Sequence, residues 1–370
     1  MSGEYTIRYP RRRLIRRLMT AGTRLFMRVF ARMTVTGQQN IPRTGPVILV
    51  GNHVAFTEVP LMCSYTPRNV EMVGVGDIPP DPFYAPIINA YGFIRINRGS
   101  MDRKAMSMAL DVLKQGGVVG IFPEGGIWEK SNLKQARTGV SWLSSKGNAP
   151  IVPIGFGGMV GSIDSILALK RPHLNMHIGQ PLPPVQTRIP GKTRKEALTD
   201  AAEEIMQHVE ELIPSEEKAR WILVEAERFT LELTVYAQAG EAIDVPADYR
   251  IVHSEALAKF FHRPVILRTM ARNLKLPVRA LRRIKRRPPP ANIYAAVNGV
   301  LGYLENDNPF FLSYRFGTEQ ANAMQDGLRE LGYLSAWCDE QGYKLSINPI
   351  RHYRYQNSEE EITETVAEEI

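Results

Sequence analysis

Between residues 45 and 213, short apolar runs alternate with amphipathic stretches. Val47-Ile48-Leu49-Val50 is a continuous apolar run closed by Gly51-Asn52, the pattern of a strand buried on both faces. Comparable runs at Asn69–Val75, Phe93-Ile94-x-Ile96, Val118–Phe122, Ile151–Phe156 and Leu174–Ile178 predict further strands. Between them, Met106, Ala109, Leu110 and Leu113 recur at helical spacing. Ser100 is the expected N-cap there, with Asp102 in the first turn and Gly116-Gly117 as the stop. Asp81–Tyr91, Lys134–Lys146 and Lys192–Leu212 read as helices, the last with Ala197, Ala201, Ile205 and Val209 in step. This alternation predicts an α/β fold, a parallel or mixed sheet flanked by helices.

The two flanking regions differ from this pattern. Residues 11–33 predict an amphipathic helix. Leu14, Ile15, Leu18, Met19, Leu25, Phe26, Val29, Phe30 and Met33 share one side, and Arg13, Arg16, Arg17, Arg24 and Arg28 the other. Such a helix can lie in a membrane interface with its arginines on anionic headgroups, or pack its apolar face on its own domain. A clean apolar stripe has no use on a phosphate backbone, which argues against nucleic acid as the partner. After residue 213, Ser215–Tyr236 reads as a helix, Phe310–Phe316 as a strand, Thr318–Leu331 as a helix and Leu334–Ile347 as a hairpin around Asp339–Gly342. Arg263 to Arg287 carries ten cations and no acids, a solvated helix face and linker or else a surface for headgroups or an acidic partner. The tail from Ser358, with six glutamates, reads as solvated. Three parts are therefore expected: a basic helix (1–33), an α/β domain (34–213), and an α+β accessory region (214–370) of no assigned role.

Charge sharpens this division. The net charge is +8, and residues 1–32 hold nine arginines and one acid, so the rest of the chain sums to zero. No apolar run reaches the length of a spanning helix, and the N-terminal stretch lacks the long apolar core and cleavage site of a secretory signal. Two cysteines, Cys63 and Cys338, make no framework or metal cluster, and the seven histidines show no ligand spacing. The expected setting is reducing, with no metal and no cofactor. A peripheral or monotopic position on the cytoplasmic face of a membrane follows from the basic helix.

The chemistry collects at predicted strand ends. His53 stands just past the run at 47–50, with Glu58 five residues on. Strand ends are where α/β sheets usually present reactive groups. A carboxylate can hold an imidazole in one tautomer and stabilise its charged form, which makes a general base. Five residues is near one and a half helical turns (roughly 500°), so the two meet only if the intervening segment is partly a turn. On spacing alone, a helix-capping Asn52 with an incidental histidine and a surface Glu58 fits equally well. Arg95 and Arg98 stand at and beyond the next strand end, Phe122-Pro123-Glu124-Gly125 closes another, and Ile151-Val152-Pro153-Ile154 is an apolar strand containing proline.

These four segments, in this order, resemble the four motifs of the 1-acylglycerol-3-phosphate acyltransferase family, the lysophospholipid and glycerolipid acyltransferases. The resemblance spans about residues 12–213. It implies an O-acyltransferase that moves a fatty acyl chain from acyl-CoA or acyl-carrier protein to a lysophospholipid hydroxyl. It implies His53 as general base and Glu58 as its orienting acid, with no covalent acyl-enzyme. Arg98, with Arg95, would hold the acceptor phosphate; Asn52, Glu124 and Gly125 would shape the acceptor site; Ile151 and Pro153 would line the acyl pocket. Two departures stand out. Glu58 replaces the usual Asp of the first motif, and Gly126-Ile127 stand where Thr-Arg is common in the third. The second removes a cation, which leaves open an acceptor other than lysophosphatidic acid, or a non-catalytic lipid-binding protein on the same fold.

Overall fold

The run at 47–50 is the middle strand of a seven-stranded sheet. In the computed structural model, the described residues are all but 1–6, 100–101, 126–132, 134–135, 219–223, 356–358 and 367–370. They form two units: Met1–Gly76, Pro86–Asn97 and Met101–Ile222 in one, and Asp77–Ala85, Arg98–Ser100 and Leu223–Ile370 in the other.

The first unit contains strands β1 (Arg32–Thr36), β2 (Val47–Gly51), β3 (Val70–Val75), β4 (Ile94–Ile96), β5 (Val118–Ile121), β6 (Ile151–Gly157) and β7 (His173–Ile178). Its helices are α1 (Arg13–Phe30), α2 (Glu58–Tyr65), α3 (Ala85–Tyr91), α4 (Arg103–Lys114), α5 (Gly139–Gly147), α6 (Ser162–Leu167), α7 (Arg194–Glu211) and α8 (Ser215–Lys218). The sheet order is β1-β7-β6-β2-β5-β3-β4. The strands from β6 to β4 are parallel, and β7 runs antiparallel to β6, so the sheet is mixed as expected.

A continuous apolar run forms a central strand because both faces of the sheet are covered. Val47 and Leu49 enter one core with Leu61 and Met62 of α2 and Phe156 of β6. Ile48 and Val50 enter the other with Ala109 and Val112 of α4, Leu143 of α5 and Ile205 of α7. The Ser100 cap expected for α4 lies outside the described residues; the cap observed is Asp102, whose carboxylate accepts the Ala105 N–H at 2.9 Å. Thr193 and Glu196 close a reciprocal capping box at the start of α7.

The N-terminal helix is built into this unit, with one arginine turned inward. Arg16 is 1% exposed and donates to both carboxylate oxygens of the buried Glu71 of β3, at 2.6 and 2.8 Å. Arg11 grips the same carboxylate from the rim. Burial works against the Arg16 charge, but its hydrogen bonds to Glu71 together with the attraction of the Glu71 carboxylate offset this and hold the guanidinium above its ordinary range. Arg16 therefore leaves the solvated basic face on which the helical spacing had placed it. Several apolar residues face outward instead: Leu14 is 70% exposed, with Leu18, Leu25 and Val29 also exposed.

The second unit has strands β8 (Val224–Tyr236), β9 (Ala242–Ile243), β10 (Lys344–Tyr355) and β11 (Glu361–Thr365), in the antiparallel order β11-β10-β8-β9. Its helices are α9 (Ser254–Phe261), α10 (Pro264–Arg272), α11 (Arg279–Arg282), α12 (Pro290–Gly302), α13 (Phe310–Phe316) and α14 (Thr318–Glu340). Three expectations are corrected here. Most of 215–236 is strand, because Phe229, Leu231, Leu233 and Val235 also alternate at a period of two and pair along β10. Phe310–Phe316 is a helix, with Phe311 and Leu312 buried. The turn at Asp339–Gly342 joins α14 to β10 rather than two strands of a hairpin. In the tail, 361–365 stays largely exposed and pairs with β10. The cation-rich segment folds as α10, α11 and a 3-10 turn, anchored by buried Ile266, Leu267, Met270, Leu281 and Ile284.

Candidate active site

The carboxyl ends of three neighbouring parallel strands, β5, β2 and β6, converge on one group of residues. After Gly51 the chain leaves β2 and turns through residues 52–57 before α2 begins at Glu58. That turn brings histidine and carboxylate together: His53 Nδ1 lies 3.3 Å from Glu58 Oε2. Glu58 is 0% exposed, and His53 keeps 15% of its side chain accessible. An ionised carboxylate only accepts, so Nδ1 carries the proton and Nε2 is left as the acceptor of a general base.

Glu58 is itself held in place. Its Oε1 accepts the backbone N–H groups of Val54 and Ala55 at 3.1 and 2.8 Å, and Oε2 accepts from Ala55 at 3.1 Å. The backbone of the turn thus solvates a buried charge that would otherwise be costly. The extra methylene relative to aspartate is accommodated within this wrap. Thr57, which precedes the helix, shares a 2.8 Å hydroxyl contact with Ser162 at the start of α6.

The neighbouring strand ends fix the histidine from two further sides. Glu124 of the turn after β5 is buried, and its Oε1 accepts the His53 backbone N–H at 2.9 Å. Gly125 follows at φ +71°, a left-handed value that glycine adopts without strain. The imidazole stacks on Phe122, ring centroids 4.3 Å apart and 18° from parallel. Asn52 clamps β2 to β6 through both amide atoms, accepting the Phe156 N–H at 2.8 Å and donating to its carbonyl at 3.2 Å. Gly51 permits the close approach of these rings, since a Cβ there would stand 2.7 Å from the Phe156 ring.

The structure thus brings together Asn52, His53, Glu58 and Glu124, with Gly125 in the supporting turn. Asn52 and Glu124 serve as braces of the histidine loop. Arg95 is exposed on the edge strand β4, bonded to Asn89 Oδ1 at 2.8 Å. Two strands, β5 and β3, separate β4 from β2. Arg98 belongs to the second unit, where its Nε and Nη2 donate to Asp77 at 2.8 and 3.1 Å. Ile151 and Pro153 lie on β6, beside Ile48 and Val50 of β2. Both are fully buried, and Ile151 pairs beside Ile48, some five residues (roughly 16 Å) from the histidine along the strand direction. Residues Gly126 and Ile127 of the third motif lie outside the described residues.

Sequence reasoning missed Phe122 as the platform of the imidazole and Phe156 as the anchor of Asn52. Phe122 sat inside a quoted motif, but an aromatic before Pro-Glu reads as core until a ring is found on it.

A histidine beside a buried carboxylate and a Pro-Glu turn thus meet at the ends of neighbouring parallel strands of an α/β sheet. The family Acyltransferase matches residues 32–157 of this chain. The chain is 32% identical over 124 residues to a 1-acyl-sn-glycerol-3-phosphate acyltransferase of Borreliella burgdorferi, covering 30% of this chain and 49% of that protein. It is 21% identical over 178 residues to a 1-acyl-sn-glycerol-3-phosphate acyltransferase of Bacillus subtilis, covering 48% of this chain and 87% of that protein. Among solved structures, the 1-acyl-sn-glycerophosphate (LPA) acyltransferase PlsC of Thermotoga maritima aligns at a TM-score of 0.39 and 21% identity, over 54% of this chain and 80% of that one.

Proposed function

We propose that this chain transfers a fatty acyl group from a thioester, acyl-CoA or acyl-carrier protein, to the free hydroxyl of a 1-acylglycerol-3-phosphate-like lysophospholipid. The observation that carries the proposal is the His53–Glu58 pair, wrapped by backbone amides at the end of β2. His53 Nε2 takes the acceptor's hydroxyl proton as the oxygen attacks the thioester carbonyl. Glu58 holds the ring and stabilises the imidazolium that forms. The tetrahedral intermediate collapses by breaking the carbon–sulfur bond, and the departing thiolate takes the proton back from His53. The names of the relatives support this acceptor class.

The reaction takes place, in this reading, on the cytoplasmic face of a membrane, with the chain lying on it. Among the described residues, no helix is long and apolar enough to cross. The outward stripe of α1 (Leu14, Leu18, Leu25, Val29), flanked by exposed Arg13, Arg17 and Arg28, fits an interfacial helix on anionic lipid. Replacing Leu14, Leu18, Leu25 and Val29 by serine should abolish co-flotation with phosphatidylglycerol vesicles; unchanged flotation refutes the membrane role.

Gly126-Ile127 in place of Thr-Arg favours a second reading, in which the acceptor is a different lipid hydroxyl. Thiol release from acyl-CoA, measured against lysophosphatidate, other lysophospholipids and monoacylglycerol, separates the two. Release with none of these acceptors sinks the transferase reading and leaves a lipid-binding protein.

A further inference from the structure

The segment after β6 carries apolar side chains that folding alone does not explain. Leu167, at the end of α6, and Leu169, just past it, are each 72% exposed, and Val160 before the helix is exposed as well. The helix closes in a Schellman arrangement: the Leu169 N–H donates to the Ile166 carbonyl and the Lys170 N–H to the Ser165 carbonyl, both at 2.9 Å. Leu169 therefore takes the left-handed position of that motif, at φ +56°. Glycine is usual there, because a side chain in that conformation is strained. A leucine stands where glycine would fold at lower cost, and most of it stays exposed. Arg171 follows, again left-handed at φ +45°.

This segment lies against α1, in the same unit. Arg171 Nη2 donates to the Arg28 carbonyl at 3.2 Å, and the Pro172 carbonyl accepts the Arg32 N–H at 2.9 Å. Met159 and Ile166 share one core with Met27 of α1. The exposed leucines thus stand beside the end of α1 that presents Leu25 and Val29. Cations border them: Lys170 and Arg171 are exposed, against one exposed acid, Asp164. An apolar patch edged with cations is complementary to an anionic bilayer, whose acyl chains take the leucines and whose headgroups take the cations. At its other end, α6 reaches the histidine loop: buried Ser162 holds Thr57, the residue before Glu58.

We infer that residues 160–171 are a second bilayer contact, acting with α1 to hold the histidine loop next to an anionic lipid surface. This rests on the membrane reading of α1, and it names the partner of the site as an assembled lipid surface rather than a dispersed acceptor. Two weak contacts on one surface bind jointly far more tightly than either alone, which suits a chain whose described helices do not span.

The test is co-flotation of the full chain with phosphatidylglycerol vesicles, beside a thermal melt. Leu167→Ser combined with Leu169→Gly should weaken vesicle binding about tenfold or more. Leu169→Gly alone should hold or raise Tm, since glycine takes the left-handed conformation freely. Vesicle binding equal to wild type overturns the inference, as does a fall in Tm of Leu169→Gly, which would mean that the leucine packs on its own domain. If the double variant does not fold, the two single variants decide by the same measurements. If the α1 serine variant loses flotation while the double variant floats like the wild type, α1 alone is the contact and this inference fails by itself. Loss of self-association in the double variant, with vesicle binding intact, also overturns it, because a second copy then covers the patch. Kinetics separate the inference from the acceptor reading. The double variant should raise KM for lysophosphatidate held in vesicles and leave transfer to detergent-dispersed lysophosphatidate within about twofold of wild type; an equal loss in both refutes the surface role. If the wild type transfers to no lysophospholipid while the double variant loses vesicle binding, the bilayer contact stands and the acceptor reading falls.

Discussion

Two carboxylates of the α/β unit, Glu58 and Glu71, are both fully buried, yet they are neutralised in opposite ways. Glu71 on β3 faces two permanent cations, Arg16 and Arg11, and hydrogen-bonds with both. Glu58 faces backbone amides and a ring whose charge can change. The first arrangement locks α1 against the sheet. The second sets a buried carboxylate beside an imidazole, a kind of side chain able to gain and lose a proton. A fixed cation in the place of His53 would stabilise Glu58 better and would do no proton transfer. Burial is equal, so the two carboxylates differ in the kind of partner they have: guanidiniums at Glu71, an imidazole at Glu58.

The largest expected effect breaks the working arrangement. His53→Ala should lower acyl transfer about 100-fold to 10,000-fold, with Tm little changed, as read by thiol release and a thermal melt. Next comes the locked arrangement. Arg16→Met leaves Glu71 short of its buried partner and should cost about 3–5 kcal/mol in urea denaturation. A double replacement, Arg16→Met with Glu71→Leu, should recover much of that loss, because no charge is left buried alone. If Arg16→Met instead melts like the wild type, the lock is not a lock.

Glu58→Gln sharpens the contrast at intermediate size. The amide oxygen can still accept from Val54 and Ala55, so the fold should hold while activity falls roughly 100-fold for want of the charge. Arg11→Ala, removing the half-exposed member of the Glu71 pair, should cost about 1 kcal/mol. Cys63→Ala closes the series with transfer within about twofold of wild type. Burial pushes the Cys63 thiol up to about 12, so the thiol stays protonated and inert, and Cys63 should resist iodoacetamide until the chain unfolds.

The α/β unit was readable because its signals are local. A doubly buried strand is an unbroken apolar run, as at 47–50, and helix ends carry their own caps and glycines. The His53–Glu58 meeting was readable as a condition, a turn between them, which residues 52–57 satisfy. What the sequence concealed was set by distant partners. The sense of α1 depended on Glu71, a polar residue in a strand that nothing nearby marks as an arginine acceptor. Strand β8 carries glutamates and leucines that suit a helix equally, and its choice is made by β10, more than a hundred residues away. Phe310–Phe316 has strand-like composition but is drawn into a helix by the burial of Phe311 and Leu312.

The brace on His53 has a consequence in time as well as in space. Its backbone is held by Glu124, 71 residues ahead, and the adjacent Asn52 by Phe156, 104 residues ahead. Contacts of that separation close slowly, after local helices and turns have formed. During synthesis the histidine and its acid therefore emerge together, but the loop that aims them stays unbraced until β5 and then β6 have left the ribosome and paired. A fragment that stops before Phe156 contains the whole acid–base pair and lacks the clamp that orients it.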